Sequence, residues 1–167
     1  MERALDVCLE VFEQRNYDDI VPGDSRITAV KPDGDKVCAF FIDTQFNAQR
    51  LVETVSEMHR LEIQHAVVVH SGGVTPPAKK TVETSTELTF ELFSDKELQT
   101  NITRHRLQPR FHRLPPDEEV RFKQKFNYAK LPLMLRTDPI ARFYGFQRGE
   151  VIRITRRNDY VLHRAVR

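Results

Sequence analysis

Apolar positions at the start of the chain recur at helical spacing. Leu5, Cys8 and Phe12 form one stripe with Ala4, Val7 and Val11 beside it, which predicts a helix over residues 2–15. The pattern then breaks into short runs. RITAV (26–30) and VCAFFI (37–42) flank KPDGDK, where Asp33-Gly34 marks a hairpin-type turn. Ala48, Leu51, Val52, Val55 and Met58 or His59 fall on one stripe, predicting a helix over 44–60. AVVVH (66–70) is a continuous β-branched run, as expected of a strand buried on both faces. Strand, long helix and strand in that order predict a parallel pair with a right-handed crossover.

Further along, Gly72 and Gly73 loosen the chain, and Thr75 can cap a helix that has Pro76 in its first turn. LTFELF (88–93) alternates, so a strand is expected with Thr89, Glu91 and Phe93 on its wetter face. Ser94 and Glu97 have capping-box spacing and predict another helix start. HRLQPRFHRL (105–114) reads as extended. Residues 117–126 read as a short helix, acidic first and basic last as the helix dipole favours. LPLMLR (131–136) reads as a strand.

The stretch LRTDPIARFYGFQRGEVIRI (135–154) concentrates the residue types that active sites use. Each has a structural job instead. Asp138 caps a helix, Pro139 takes its first position, and Gly145 ends it in a left-handed conformation. Gly149 permits a tight turn into a strand at 150–156. Arg157-Asn158-Asp159 turns that strand back into YVLHRAV (160–166).

The 167 residues suffice for one ordinary domain or two small ones. The overall formal charge is only +2, yet it is unevenly spread. Residues 1–97 carry 10 Lys and Arg against 18 Asp and Glu, and residues 98–167 carry 16 against 6. That shift divides the chain near residue 98 and predicts two units with different partners. It also raises nucleic acid as a partner for the basic half. No apolar run is long enough for a membrane span, and the N-terminus has no secretory pattern. Cys8 and Cys38 are isolated, consistent with buried reduced thiols.

Candidate chemistry is sparse. His59, His65, His70, His105, His112 and His163 are scattered without metal-ligand spacing and read as surface or interface side chains. Neither a dinucleotide fingerprint nor a P-loop is present, so no cofactor and no metal is expected. Asp33 and Asp43-Thr44-Gln45 resemble the carboxylate pattern of metal-dependent endonucleases. Gln45 stands where that mechanism needs Lys, and Asp33 serves its own turn.

Several stretches together resemble the fifth subunit of eukaryotic-type DNA-directed RNA polymerases, and the second half also resembles the corresponding small subunit of the archaeal RNA polymerase. They are AFFIDT (39–44), AVVVH (66–70), VTPPAKK (74–80), NITRHRLQPRFHRL (101–114) and LPLMLRTDPIARFYGFQRGEVIRITRR (131–157), closed by His163-Arg164. The likeness runs essentially end to end. Pro77 departs from the family's Ser, the first domain is abridged, and the last hairpin is short. A compact form of this kind suits a lineage far from the nuclear enzymes, such as a large DNA virus.

The resemblance implies a non-catalytic subunit of α/β class, placed in the nucleus, or in virion or host cytoplasm if viral, and not secreted. It implies a three-layer, distantly nuclease-like jaw domain over 1–98 and a two-layer, mixed-sheet assembly domain over 99–167. The assembly domain would dock on the largest polymerase subunit, with Asp138, Pro139, Arg142, Gly145, Arg148, Gly149 and Glu150 shaping it and its docking face. The jaw would lie beside downstream duplex DNA, with Thr75, Pro76, Ala78, Lys79 and Lys80 in the nearest loop. Because the jaw is acidic and phosphates repel it, contact is expected through that loop alone. The alternatives are an isolated DNA-binding module and a metal-dependent nuclease.

Overall fold

Helix α1 (Glu2–Gln14) follows the apolar stripe at the start of the chain and buries Ala4, Val7, Cys8, Val11 and Phe12. In this computed structural model, which describes residues 1–167, two units form: Met1–Thr100 and Asn101–Arg167.

The first unit is a five-stranded sheet in the order β1 (Asp18–Pro22), β2 (Arg26–Val30), β3 (Lys36–Ile42), β4 (His65–His70), β5 (Thr89–Ser94). The first three strands form an antiparallel meander, and β3, β4 and β5 run parallel. Gly34 turns β2 into β3 at a φ of 91°, and the Asp33 carboxylate accepts from the Asp35 N–H at 3.0 Å. Helices α2 (Ala48–Arg60) and α3 (Pro76–Thr84) supply the crossovers.

Pairing register decides which side chains share a face. Cys38, Phe40, Ala66 and Val68 point to one side and pack with Phe46, Leu51, Met58 and Ala78 from the α2 and α3 segments. Val37, Ala39, Val67 and Val69 point to the other side, which α1 covers. Strand β4 is buried at all six positions, as its unbroken apolar run requires. The result is three layers, helix on sheet on helix.

The ends of α1 and α2 show why they stop. Asn16 and Glu62 take left-handed conformations, at φ 56° and 55°. Tyr17 N–H then donates to Phe12 O at 3.0 Å, and Ile63 N–H to Met58 O at 2.9 Å, each satisfying a helix-end carbonyl.

The second unit is a four-stranded mixed sheet in the order β6 (Arg110–Arg113), β8 (Val151–Thr155), β9 (Val161–Val166), β7 (Leu133–Met134). One face gathers Ile152, Ile154, Val166 and Met134 with Ile140, Ala141 and Phe146 from the α5 segment (α5, Pro139–Tyr144). Helix α4 (Pro116–Lys125) lies on the other face, where Phe122 packs its ring 4.4 Å from that of His163. No helix in either unit is long and apolar enough to cross a membrane.

Several expectations need correction. The second helix starts at Ala48 rather than residue 44, because Asn47 caps it and Phe46 is tied to the next loop. Val52 is exposed, since Leu51, Thr54 and Met58 form the buried stripe. Strand β1 is additional to the predicted elements. The Ser94–Glu97 capping bonds form, but they close a turn instead of opening a helix. Buried Leu98 pins the chain directly after that turn. The strand expected over 131–136 shrinks to Leu133–Met134. His65 and His70 are buried, not surface side chains. Glu91 is not on a wet face: α1 covers it and Arg15 pairs with it.

Candidate interaction surfaces

In the first unit, VTPPAKK sits where two loops are sewn together. Phe46 N–H donates to Gly73 O at 2.8 Å, and Thr75 N–H donates to Phe46 O at 3.0 Å. Gly72 N–H donates to Thr44 O at 3.1 Å. A Cβ on Gly72 would collide with the Gln45 backbone, 2.7 Å from its Cα, so only glycine allows this approach. The buried Phe46 side chain fills the space beneath.

This seam fixes the start of α3. Thr75 precedes the helix in extended conformation, although its side chain makes no capping bond. Pro76 and Pro77 occupy the first turn and have no N–H to offer an anion. Phosphate contact here therefore falls mainly to side chains. Ala78 is buried against the α2 layer, while Lys79 and Lys80 face solvent. Lys79 lies 3.9 Å from Glu83, a loose pair with both side chains more than 60% exposed, so its charge remains available. The structure thus brings the five residues of this loop onto one short segment, with two lysines outward and Ala78 inward.

The two aspartates of the nuclease-like pattern are kept apart. Asp33 precedes β3 and Asp43 follows it, so the seven-residue strand separates them by about 20 Å. They cannot share one cation. No three His, Cys, Asp or Glu side chains gather in a metal-binding arrangement elsewhere.

In the second unit, the Asp138 carboxylate accepts from the Ile140 N–H at 2.9 Å, and Pro139 opens α5. Gly145 ends that helix at φ 65°, with Phe146 N–H donating to Ala141 O at 2.9 Å. Gly149 takes φ 97° and its N–H donates to Val166 O at 3.0 Å, fixing the turn into β8. Glu150 accepts from the Gln147 N–H at 2.8 Å and pairs with Arg113 at 3.0 Å. Burial pushes the Glu150 carboxyl above its ordinary pKa, a rise that the Gln147 N–H and the Arg113 guanidinium only partly offset.

Five of the seven residues expected to shape this unit are therefore internal supports. Arg142 lies on α5 and is half-buried. Arg148 is exposed at the tip of the turn between Gly145 and Gly149. Sequence patterns gave no sign of Arg113, Glu119 and Lys123, which hold this turn. Lys123 Nζ donates to Gly149 O at 2.8 Å and pairs with Glu119, whose carboxylate also accepts from the Val151 N–H. Apart from the Lys123–Glu119 pair within α4, their partners lie 26 to 37 residues away, beyond the reach of any local motif.

Comparison with known proteins follows this division. The family model described as RNA polymerase Rpb5, C-terminal domain, matches residues 100–166. An Invertebrate iridescent virus 6 protein, named as DNA-directed RNA polymerase subunit 454R, is 37% identical over 111 residues, 60% of each chain. DNA-directed RNA polymerases I, II, and III subunit RPABC1 of Caenorhabditis briggsae is 30% identical over 140 residues, 79% of this chain and 66% of the relative. The corresponding protein of Dictyostelium discoideum is 33% identical over 131 residues, 75% of this chain and 66% of the relative. The chain thus matches less than two thirds of the length of these relatives.

Proposed function

This chain belongs to the RNA polymerase Rpb5 family, and from that premise we propose that it is a non-catalytic subunit of a multisubunit DNA-directed RNA polymerase. The observation that carries the reading is a coincidence of boundaries. The family match begins at residue 100, and the second folded unit begins at Asn101.

The second unit docks on the largest subunit, with Arg148 meeting partner carboxylates and Asp138, Pro139, Gly145, Gly149 and Glu150 holding the face in shape. Arg142 contributes from α5. The first unit lies beside downstream duplex DNA and approaches it through Thr75–Lys80, where Lys79 and Lys80 are the outward charges. The acidic remainder of that unit, 18 carboxylates against 8 cations, is kept from the phosphates. Both units act within transcription, in the nucleus for a cellular polymerase or in the virion and host cytoplasm for a viral one.

An affinity pull-down of the tagged protein from its native source tests this. Recovery of the two largest polymerase subunits in near-equal amount is expected. Recovery of the chain alone would refute the reading and leave an isolated domain, to be assayed for salt-sensitive DNA binding.

A further inference from the structure

The sheet of the second unit has two edges, and they are built differently. Strand β6 at one edge displays Arg110, His112 and Arg113, the charged guard that discourages another strand from pairing there. At the other edge, Leu133 of strand β7 and Leu135 just beyond it are 48% and 57% exposed.

The backbone at β7 is equally open. Ala165 N–H donates to Pro132 O, Arg167 N–H to Met134 O, and Arg136 N–H to Arg167 O. Residues 132, 134 and 136 therefore spend their polar groups on β9. Backbone groups alternate in direction along an extended chain, so those of Leu133 and Leu135 face away from the sheet. Leu135 O accepts from the Asp138 N–H, and Leu133 O is touched by Arg164 at 3.4 Å. The N–H groups of Leu133 and Leu135 remain as outward donors, set two residues apart as a strand partner requires.

Charge narrows the partner. Between Glu119 and Asp138 there is no acidic residue, while Arg121, Lys123, Lys125, Lys130 and Arg136 are all present. Lys130 and Arg136 flank β7 directly and are exposed. A second basic strand would be repelled here. An extended segment that alternates apolar and acidic residues would cover the leucines and meet the cations.

We propose that the open edge of β7 takes such an acidic, apolar segment of the largest polymerase subunit as a fifth strand of this sheet. The inference rests on the polymerase reading above. It names the element of the second unit that carries the docking.

Hydrogen exchange of the full chain, free and in complex with its largest subunit, tests it directly. The Leu133 and Leu135 amides should exchange rapidly in the free chain and at least about tenfold more slowly in the complex. Leu135→Pro removes one outward donor without touching the β9 pairing, and should lower recovery of the complex about tenfold relative to Leu135→Ala. A purified complex in which both amides still exchange rapidly would overturn the edge proposal and leave the polymerase reading standing. So would fast exchange in the complex combined with full recovery of Leu135→Pro. If the wild-type chain recovers no large subunit, both fall. A self-associated chain with protected Leu133 and Leu135 amides would assign the edge to a second copy and overturn the proposal.

Discussion

Arg15 grips Glu91 with both terminal nitrogens, Nη1 to Oε1 at 2.8 Å and Nη2 to Oε2 at 2.7 Å, although 76 residues separate them. His65 Nε2 lies 2.8 Å from the same Oε1. The Arg15 side chain is only 2% exposed, so the pair ties the end of α1 to the parallel edge strand β5 beneath it. A charge pair withdrawn from water is costly to break from one side.

Glu91→Ala leaves Arg15 buried without its carboxylate and should destabilise the first unit by about 3 to 5 kcal/mol. Arg15→Met combined with Glu91→Leu removes both charges and should recover most of that loss. Denaturant unfolding monitored on a probe in the first unit gives both values. Equal stability of the single and double variants would refute this account.

Acid should act on the same pair. Burial alone would raise the Glu91 carboxyl, but the Arg15 charge, with hydrogen bonds from His65 and Arg15, outweighs it and holds the group well below the usual carboxylate range. A lowered native value contributes stability above the unfolded value of about 4.3 and loses it as pH falls through the folded value. Melting temperatures measured from pH 7 to pH 3 should drop more steeply for the wild type than for the doubly substituted chain. Parallel curves would contradict the assignment.

The two glycines of the seam should behave differently. Gly72→Ala forces a Cβ against the Gln45 backbone and should cost about 1 to 3 kcal/mol or more. Gly73 sits at φ 81° with open space around it, so Gly73→Ala pays about 1 to 2 kcal/mol of left-handed strain and no clash. Thermal unfolding should therefore rank Gly72→Ala below Gly73→Ala.

Thiol chemistry reports on the core of the first unit. Burial pushes both Cys8 and Cys38 up to about 12, against the smaller opposing pull of Arg15 and Arg26. At neutral pH the native thiols should be nearly inert toward a disulfide reagent and react only as the unit opens. Rapid stoichiometric labelling in native buffer would show that this core is not closed.

Charge reversal separates the two proposed roles. Lys79→Glu with Lys80→Glu should leave recovery of the polymerase subunits unchanged while lowering crosslinking to downstream DNA several-fold, because two phosphate-neutralising charges are replaced by repulsion. Arg148→Glu should do the reverse, weakening assembly by about tenfold if its partner is a carboxylate. Identical behaviour of the two variants would remove the division of labour between the units.

Elements whose signals are local were legible in the sequence. The apolar run 66–70 reads as a doubly buried strand and forms one, and Asp138-Pro139 with Gly145 marks both ends of α5 within eight residues. Strand β1 was not legible, because Asp18, Asp19 and Pro22 are poor strand residues tolerated at an exposed sheet edge. Glu91 alternates as a wet-face residue should, and only the distant Arg15 turns that face inward. Ser94 and Glu97 make the capping bonds their spacing promises, yet those bonds are satisfied by a single turn and do not compel a helix. At the interaction surfaces, the supports Asp138, Gly145 and Gly149 could be read from turn and cap chemistry. Arg113 and Lys123 could not, since their partners are set by how the sheet closes.

The order β6-β8-β9-β7 also dictates a sequence of events during synthesis. Leu133 and Met134 pair only with Ala165 and Val166, so β7 leaves the ribosome well before the strand that must receive it. Until β9 arrives, Leu133, the adjoining Leu135 and both edges of the β7 backbone are bare in the nascent chain. The meander β1-β2-β3 faces no such wait, since each strand follows its neighbour directly. The first unit can begin to organise as it emerges, whereas the second must hold its β7 segment unpaired until the chain has grown past residue 166.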